Sequence, residues 1–281
     1  SDGGYLYVGG TFTIIAGVSA SNVAVFNLNT GVWSAIGTGF NNACTGILAQ
    51  GTTIYFAGTF TNANGSTVSG ATFITEGGTT FDTMAGGFTI TQGIFTGIIY
   101  DGVNVWFAGL NSINKWTGAA WVNRTPQVGT TEGITYVSAL AYSSGIIYVG
   151  GNTPIDGGAN EYGSDLYKYV IATNTWTKIV SLPLSVSNFI FALEVLNGYL
   201  YVGGQFTARS GIANTAYFAK VDISSLVYSE VSGAVPDVVY SLDVIGSDLL
   251  LGGKFTTLAG VSMLRIARWD GGSYTALDTG L

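Results

Sequence analysis

Tyr-Val-Gly-Gly stands at Tyr7–Gly10, again at Tyr148–Gly151 and again at Tyr201–Gly204. Looser copies are Tyr55-Phe56-Ala57-Gly58, Trp106-Phe107-Ala108-Gly109 and Leu250-Leu251-Gly252-Gly253. With the last glycine of each as marker, positions 10, 58, 109, 151, 204 and 253 set out one unit of roughly fifty residues, repeated six times. Reading that unit decides the fold.

The fourth copy is the cleanest. Ser138-Ala139-Leu140-Ala141-Tyr142 reads as a first strand, and Ser143-Ser144-Gly145 turns into a second, Ile146–Gly151. A long loop, Asn152–Gly163, leads to a third strand, Asp165–Ile171; Ala172-Thr173-Asn174-Thr175 turns into a fourth, starting at Trp176. Short runs rich in Val, Ile, Tyr, Phe and Thr, parted by Gly, Asn and Ser, are strand-and-turn chemistry. Four such strands make one antiparallel sheet of propeller-blade size, apolar on both faces and unable to stand alone. The fold class is therefore all-β, a six-bladed β-propeller of four-stranded antiparallel blades, expected as a single domain over residues 1–281.

The repeat shows in columns. Only glycine or alanine precedes the marker (Gly9, Ala57, Ala108, Gly150, Gly203, Gly252), so close approach by a neighbouring strand or ring is expected there. The fourth strand opens on an aromatic every time: Trp33, Phe81, Trp121, Trp176, Tyr228 and Tyr274. Such a column is either a stacking platform for sugars or bases, or a wedge between blades, and its regular recurrence favours the wedge. Phe-Thr follows the second strand at Phe12, Phe60, Phe206 and Phe255, leading into loops such as Ile14–Ser21 and Ala208–Asn214. Those loops leave the same strand end and differ in length, which makes their face the expected binding surface. The chain starts at a second strand, Tyr5–Gly10, and stops after a fourth, so one blade is expected to lack its first, inner strand. The chain reads as most of a ring belonging to a longer polypeptide.

Composition narrows the activities. Of 281 residues 9% are charged, the net charge is −7, and histidine is absent. Nine dispersed Lys and Arg form no stripe for nucleic acid or an anionic membrane. No apolar run approaches the roughly 18 residues of a membrane span. One cysteine, Cys44, precludes an internal disulfide and reads as a small buried hydrophobe. Without histidine there is neither a Ser/His/Asp triad nor a Cys/His zinc site. No phosphate-binding glycine loop, calcium-loop spacing or sialidase Asp-box is found, so no metal, cofactor or catalytic set is expected. Asn64-Gly65-Ser66 and Asn123-Arg124-Thr125 match the glycosylation pattern, as chance alone would supply in so Asn- and Ser-rich a chain.

Two sets of residues stand as candidate sites. Asp156, Asn160, Glu161 and Tyr162, in the enlarged loop of copy four, are the loop-face candidates. Glu194 and Asp243 share one position of the first strand in copies five and six, where Leu48, Ile99 and Ala141 stand elsewhere. On adjacent inner strands they read either as an acid/base pair for glycoside cleavage or a cation site, or more plainly as solvated or backbone-bonded carboxylates.

Tyr148-Val149-Gly150-Gly151, Leu166-Tyr167-Lys168-Tyr169 and Asn174-Thr175-Trp176 together resemble a kelch repeat. Gly252–Thr256, Ile266–Gly271 and Leu277–Gly280 resemble the propeller repeats of large secreted and surface proteins, among them delta-60 and fungal cortical-marker repeats. The resemblance spans the chain and implies a recognition or spacing module, engaging other proteins or copies of itself at an extracellular, cell or virion surface. It specifies a blade, not a reaction. Galactose oxidase shares the implied fold, but its copper site needs histidines that this sequence lacks. Glycan binding by a lectin-like propeller is the alternative, and a propeller glycosidase or lyase the second.

Overall fold

A computed structural model describes residues 4–85, 95–109, 112–124, 136–154, 162–181, 189–207, 212 and 214–277. The chain divides into two compact units, Ser1–Thr125 and Pro126–Leu281, each carrying three blade sheets. No helix occurs among the described residues. With six small antiparallel sheets, most of them four-stranded, the protein is an all-β six-bladed propeller.

Blade I consists of Tyr5–Gly9, Val23–Asn27 and Val32–Ala35, hydrogen-bonded in that order. Its edge strand begins at Tyr5, the position a second strand takes in every other blade, so the expected lack of a first, inner strand holds among the described residues. Blade II is Cys44–Gln50, Thr53–Gly58 and Ala71–Thr75; blade III is Phe95–Tyr100, Val105–Gly109, Ser112–Trp116 and Trp121–Asn123. In the second unit blade IV is Tyr136–Ser143, Ile146–Pro154, Tyr162–Val170 and Thr175–Ser181. Blade V is Phe189–Leu196, Tyr199–Gln205, Phe218–Asp222 and Tyr228–Glu230; blade VI is Val239–Ile245, Asp248–Gly253, Ile266–Trp269 and Tyr274–Ala276.

Three readings of the sequence need correction. Blade II was expected to have a fourth strand at Phe81, but there it keeps a single bridge, Phe73 to Asp82. Phe81 still fills its aromatic position, packing on Phe40 and Phe56 at 5.0 and 5.8 Å between ring centroids. The loop of copy four is shorter than expected, because Asn152–Pro154 and Tyr162–Ser164 continue the second and third strands as a paired ladder. The segments after Phe-Thr in blades I, II and VI are small β-hairpins: Ile14–Ile15 with Val18–Ser19, Asn62–Ala63 with Ser66–Thr67, and Thr257–Leu258 with Val261–Ser262. Their tips, Ala16-Gly17, Asn64-Gly65 and Ala259-Gly260, have positive φ at both residues, the type I′ geometry of a two-residue hairpin.

The marker glycine has a steric cause. Each described first strand bulges opposite it, with register shifts at Cys44/Gly46, Phe95/Gly97, Val137/Ala139, Ile190/Ala192 and Val239/Ser241. A Cβ at Gly58, Gly204 or Gly253 would lie 2.1–2.3 Å from the carbonyl oxygen of Ala43, Phe189 or Val238. At Gly10, which has no described first strand beside it, the nearest atom is a Phe12 ring carbon at 3.3 Å. The preceding column packs against the next blade: a Cβ at Gly150 would meet Ile190 at 2.6 Å, and one at Gly203 would meet Val239 at 2.7 Å. Close approach by the neighbouring strand is thus what holds that column to glycine and alanine.

The cores lie between consecutive blades of a unit. Val23, Phe40, Phe56, Phe60 and Phe81 join blades I and II; Ala57, Phe107 and Trp116 join II and III. Tyr148, Ile190, Leu200 and Tyr228 join IV and V, and Tyr201, Val239, Leu251 and Trp269 join V and VI. Each large side chain so buried stabilises by roughly 1.5–3 kcal/mol. Phe81, Trp121, Tyr228 and Tyr274 all sit in or against these clusters, and Trp121 Nε1 donates to the Met84 carbonyl of the preceding blade at 3.0 Å. In those four blades the fourth-strand aromatic is a wedge. Trp33 and Trp176 pack on a strand of their own blade with tilted rings, on Phe26 at 5.0 Å and Tyr169 at 4.8 Å between centroids.

Candidate functional site

Glu194 and Asp243 occupy matching registers: Glu194 faces Tyr201 and Asp243 faces Leu250, each residue three before its marker glycine. Leu48, Ile99 and Ala141 face Tyr55, Trp106 and Tyr148 in the same way. The first strands of blades V and VI pack on each other, and the two carboxylates feel one another's charge. Glu194 is half-buried, and burial pushes its carboxyl above the ordinary range; the bond from Val195 N–H at 3.0 Å works against that, and the Asp243 charge adds to it. Asp243 is exposed and accepts the Val244 N–H at 2.8 Å. Each carboxylate therefore caps the amide that follows it on its own strand, the backbone-bonded arrangement.

Of the loop-face candidates, Asp156, Asn160 and Glu161 lie outside the described residues. The backbone of Tyr162 is in the third strand of blade IV, paired with Pro154.

Among the described residues most other carboxylates have local structural work. Asp101 accepts the Val103 and Asn104 amides at 2.8 and 2.6 Å and the Trp106 Nε1–H at 2.6 Å. Burial opposes its ionisation, but these bonds together hold it below the usual carboxylate range. Asp222 is drawn down to about 2, first by the Ser224 hydroxyl and then by Ser225. Asp270 is lowered by the amides of Ser273 and Gly272. Asp165 and Asp248 pair with Lys178 and Arg268. Among the described residues no group of three or more Cys, Asp or Glu stands together as a metal would require. Cys44 is buried, and burial pushes its thiol up to about 12.

Two features escaped the sequence reading. Opposite the residue three before the marker stand Lys115, Lys168, Lys220 and Arg268 in blades III to VI, but Val25 and Phe73 in blades I and II. Lys115 lies over the Trp106 ring at 5.8 Å and Lys220 over that of Tyr199 at 4.6 Å. The column was visible in the sequence once the third strands were in register. The other feature is a cleft of about 420 Å³ in the first unit. Its lining includes Tyr5, Tyr7, Val25, Asn27 and Ser34 of blade I and the Gly77–Thr79 segment of blade II. The blade I residues share one sheet face, since Tyr7 pairs with Val25 and Val25 with Ser34, while Tyr5 pairs with Asn27. Gly77 N–H donates to the Tyr7 hydroxyl at 2.9 Å. Burial raises the Tyr7 phenol, the Gly77 bond lowers it, and the Glu76 charge raises it further.

Neither a known family nor a curated protein matches the sequence. Solved structures do match the fold. The chain superposes on a crystal structure of the mitotic checkpoint complex with a TM-score of 0.57 and 13% identity, over 92% of this chain and 74% of that one. The crystal structure of the computationally designed Ika8 protein gives a TM-score of 0.51 and 13% identity, over 90% of this chain and 76% of that one. At such identities the likeness concerns fold alone: the chain is a β-propeller.

Proposed function

We propose that the chain is a non-catalytic interaction or assembly module of a secreted, cell-surface or virion-surface protein, built from kelch-like or delta-60-type repeats. The observation that carries the reading is how the carboxylates are used. Asp101, Asp222 and Asp270 cap turns, and Glu194 and Asp243 each bond the next amide of their own strand; such structural use of these carboxylates supports the non-catalytic reading. A fold that recurs in multi-protein assemblies, such as the mitotic checkpoint complex, suits a surface for other proteins or for copies of itself. Sedimentation velocity over a wide concentration range tests self-assembly, and saturable binding to a purified surface component tests recognition. Turnover on a polysaccharide panel, abolished by Glu194→Ala with Asp243→Ala, overturns the reading in favour of a glycosidase or lyase. A specific hit on a glycan array overturns it in favour of a lectin.

A further inference from the structure

Among the described residues, every blade but blade I has a first strand paired beside its marker segment. In blade I the corresponding side of Tyr7–Gly9 is a sheet edge. Two bonds fix which groups face it: Leu28 N–H donates to the Gly4 carbonyl and Gly10 N–H to that of Asn22. Alternate residues, Leu6 and Val8, therefore bond to Val23–Asn27, while Tyr7 and Gly9 turn their amides and carbonyls the other way. On that side neither has a backbone partner among the described residues. Val8 is only partly buried, whereas its counterparts Phe56, Phe107, Val149, Val202 and Leu251 are fully buried. Unpaired edge groups beside an under-covered apolar side chain form a template for one more strand.

The sister blades show what chemistry fits this edge. Opposite the Val8 position each first strand carries isoleucine or leucine: Ile47, Ile98, Leu140, Leu193 and Leu242. Opposite the Gly9 position stands a small residue: Gly46, Gly97, Ala139, Ala192 or Ser241. Close packing explains the size limit, since a Cβ at Gly46 would lie 3.1 Å from Ile98 of the next blade. Opposite the marker stand the apolar Cys44, Phe95, Val137, Ile190 and Val239, with one bulged residue between each and the small one. The position opposite Tyr7 is unrestricted, running from Leu48 to Glu194. In chain order the fitting strand is apolar, any uncharged residue, small, then isoleucine or leucine.

We infer that the open edge of blade I docks an extended segment of a partner protein that carries this pattern and adds antiparallel to Tyr7–Gly9. Backbone bonds to Tyr7 and Gly9 supply affinity, and the small residue and the aliphatic one facing Val8 supply selectivity. The inference deepens the interaction-module reading and rests on it for the source of the strand, but the edge can be tested with a peptide alone.

The probe is a peptide of the blade IV first strand, Tyr136-Val137-Ser138-Ala139-Leu140-Ala141-Tyr142-Ser143, with lysines appended for solubility. Titrated into the 15N-labelled full chain, it should give saturable shifts of the Tyr7 and Gly9 amides, slow their hydrogen exchange, and bring its leucine within nuclear Overhauser reach of the Val8 methyls. Two altered peptides leave the chain itself untouched. Ala139→Val overfills the small position, and N-methylation of the Ala141 amide removes a bond to the Tyr7 carbonyl; each should weaken binding about tenfold or more. No saturable binding, equal binding by all three peptides, or slow exchange of the Tyr7 and Gly9 amides before any peptide is added overturns the assignment. Such a failure leaves the interaction-module reading standing, whereas peptide binding by a chain that engages no protein surface would count against that reading alone.

Discussion

Asn64 at the tip of the blade II hairpin reaches back to Thr38 in the link from blade I: its Oδ1 accepts the Thr38 amide at 2.8 Å and the Thr38 hydroxyl at 3.1 Å. Its Nδ2 donates to the Thr79 carbonyl at 3.2 Å, and its backbone N–H to Gly39. Asn41 holds the same hairpin from the other side, accepting the Thr61 and Asn62 amides at 2.9 Å. The hairpin is thereby fastened to the blade before it. Asn64 matches the glycosylation pattern, but its amide is already committed to the fold.

Asn64→Ala removes these bonds and puts alanine at a φ of 48°. A loss of about 1–3 kcal/mol is expected, read as a lower urea midpoint. A mutant as stable as the parent would show the clamp to be incidental.

The marker glycines separate space from pattern. Gly204→Ala drives a methyl to 2.1 Å from the Phe189 carbonyl and should cost about 2 kcal/mol or more. Gly10→Ala meets only the Phe12 ring at 3.3 Å and should change stability by less than about 1 kcal/mol. Paired thermal or urea melts decide it: equal costs would mean that the first-strand bulge is not what selects glycine.

Glu194 sets a pH dependence with a definite sign. Its folded carboxyl titrates above the ordinary glutamate value, mainly through burial. The protonated form is thus favoured by the fold, and the stabilisation is full below the unfolded pKa and lost as pH rises through the folded one. Glu194→Gln should therefore be most stabilising, relative to the parent, near neutral pH and lose that advantage in acid. Asp243→Asn should bring the Glu194 titration down, because the Asp243 charge contributes to its rise. A 13C-carboxyl NMR titration showing Glu194 at or below its ordinary value would refute this.

How far the sequence carried depended on whether a feature repeats. The glycine and aromatic columns recur in every blade, so strand order and the packing between blades were legible from Tyr148–Trp176 alone. The bulge at Val137/Ala139 leaves no compositional trace, since Ser138 is an ordinary strand residue. The hairpins were readable in principle, as Asn64-Gly65 is a strong two-residue turn signal, but Ala16-Gly17 and Ala259-Gly260 hide the same geometry behind a residue that seldom adopts it. The loss of the blade II fourth strand was not legible, because Phe81 keeps its aromatic place while the strand around it is gone. The cleft was not legible either, because its lining brings blade I together with Gly77–Thr79, segments some fifty residues apart in the sequence.

The three hairpins also predict how the protein is made more stable. Ala16 and Ala259 hold φ of 47° and 49°, a left-handed conformation that costs a Cβ-bearing residue about 1–2 kcal/mol. Asparagine adopts it more readily because its short amide bonds locally, and blade II already uses it at Asn64 with φ 48°. Both alanines are exposed, and a Cβ at the following Gly17 or Gly260 would meet nothing within 4 Å, so the larger side chain has room at these tips. Ala16→Asn and Ala259→Asn should each raise stability by about 0.5–1 kcal/mol, and the two gains should add, since each tip belongs to a different unit. Gly17→Ala and Gly260→Ala serve as opposing controls: each puts a Cβ at a φ of 81° and should destabilise despite the open space. Urea melts of the four single variants and the double asparagine variant check the series, and a neutral or unfavourable effect of both asparagines would refute the two-residue hairpin geometry at those tips.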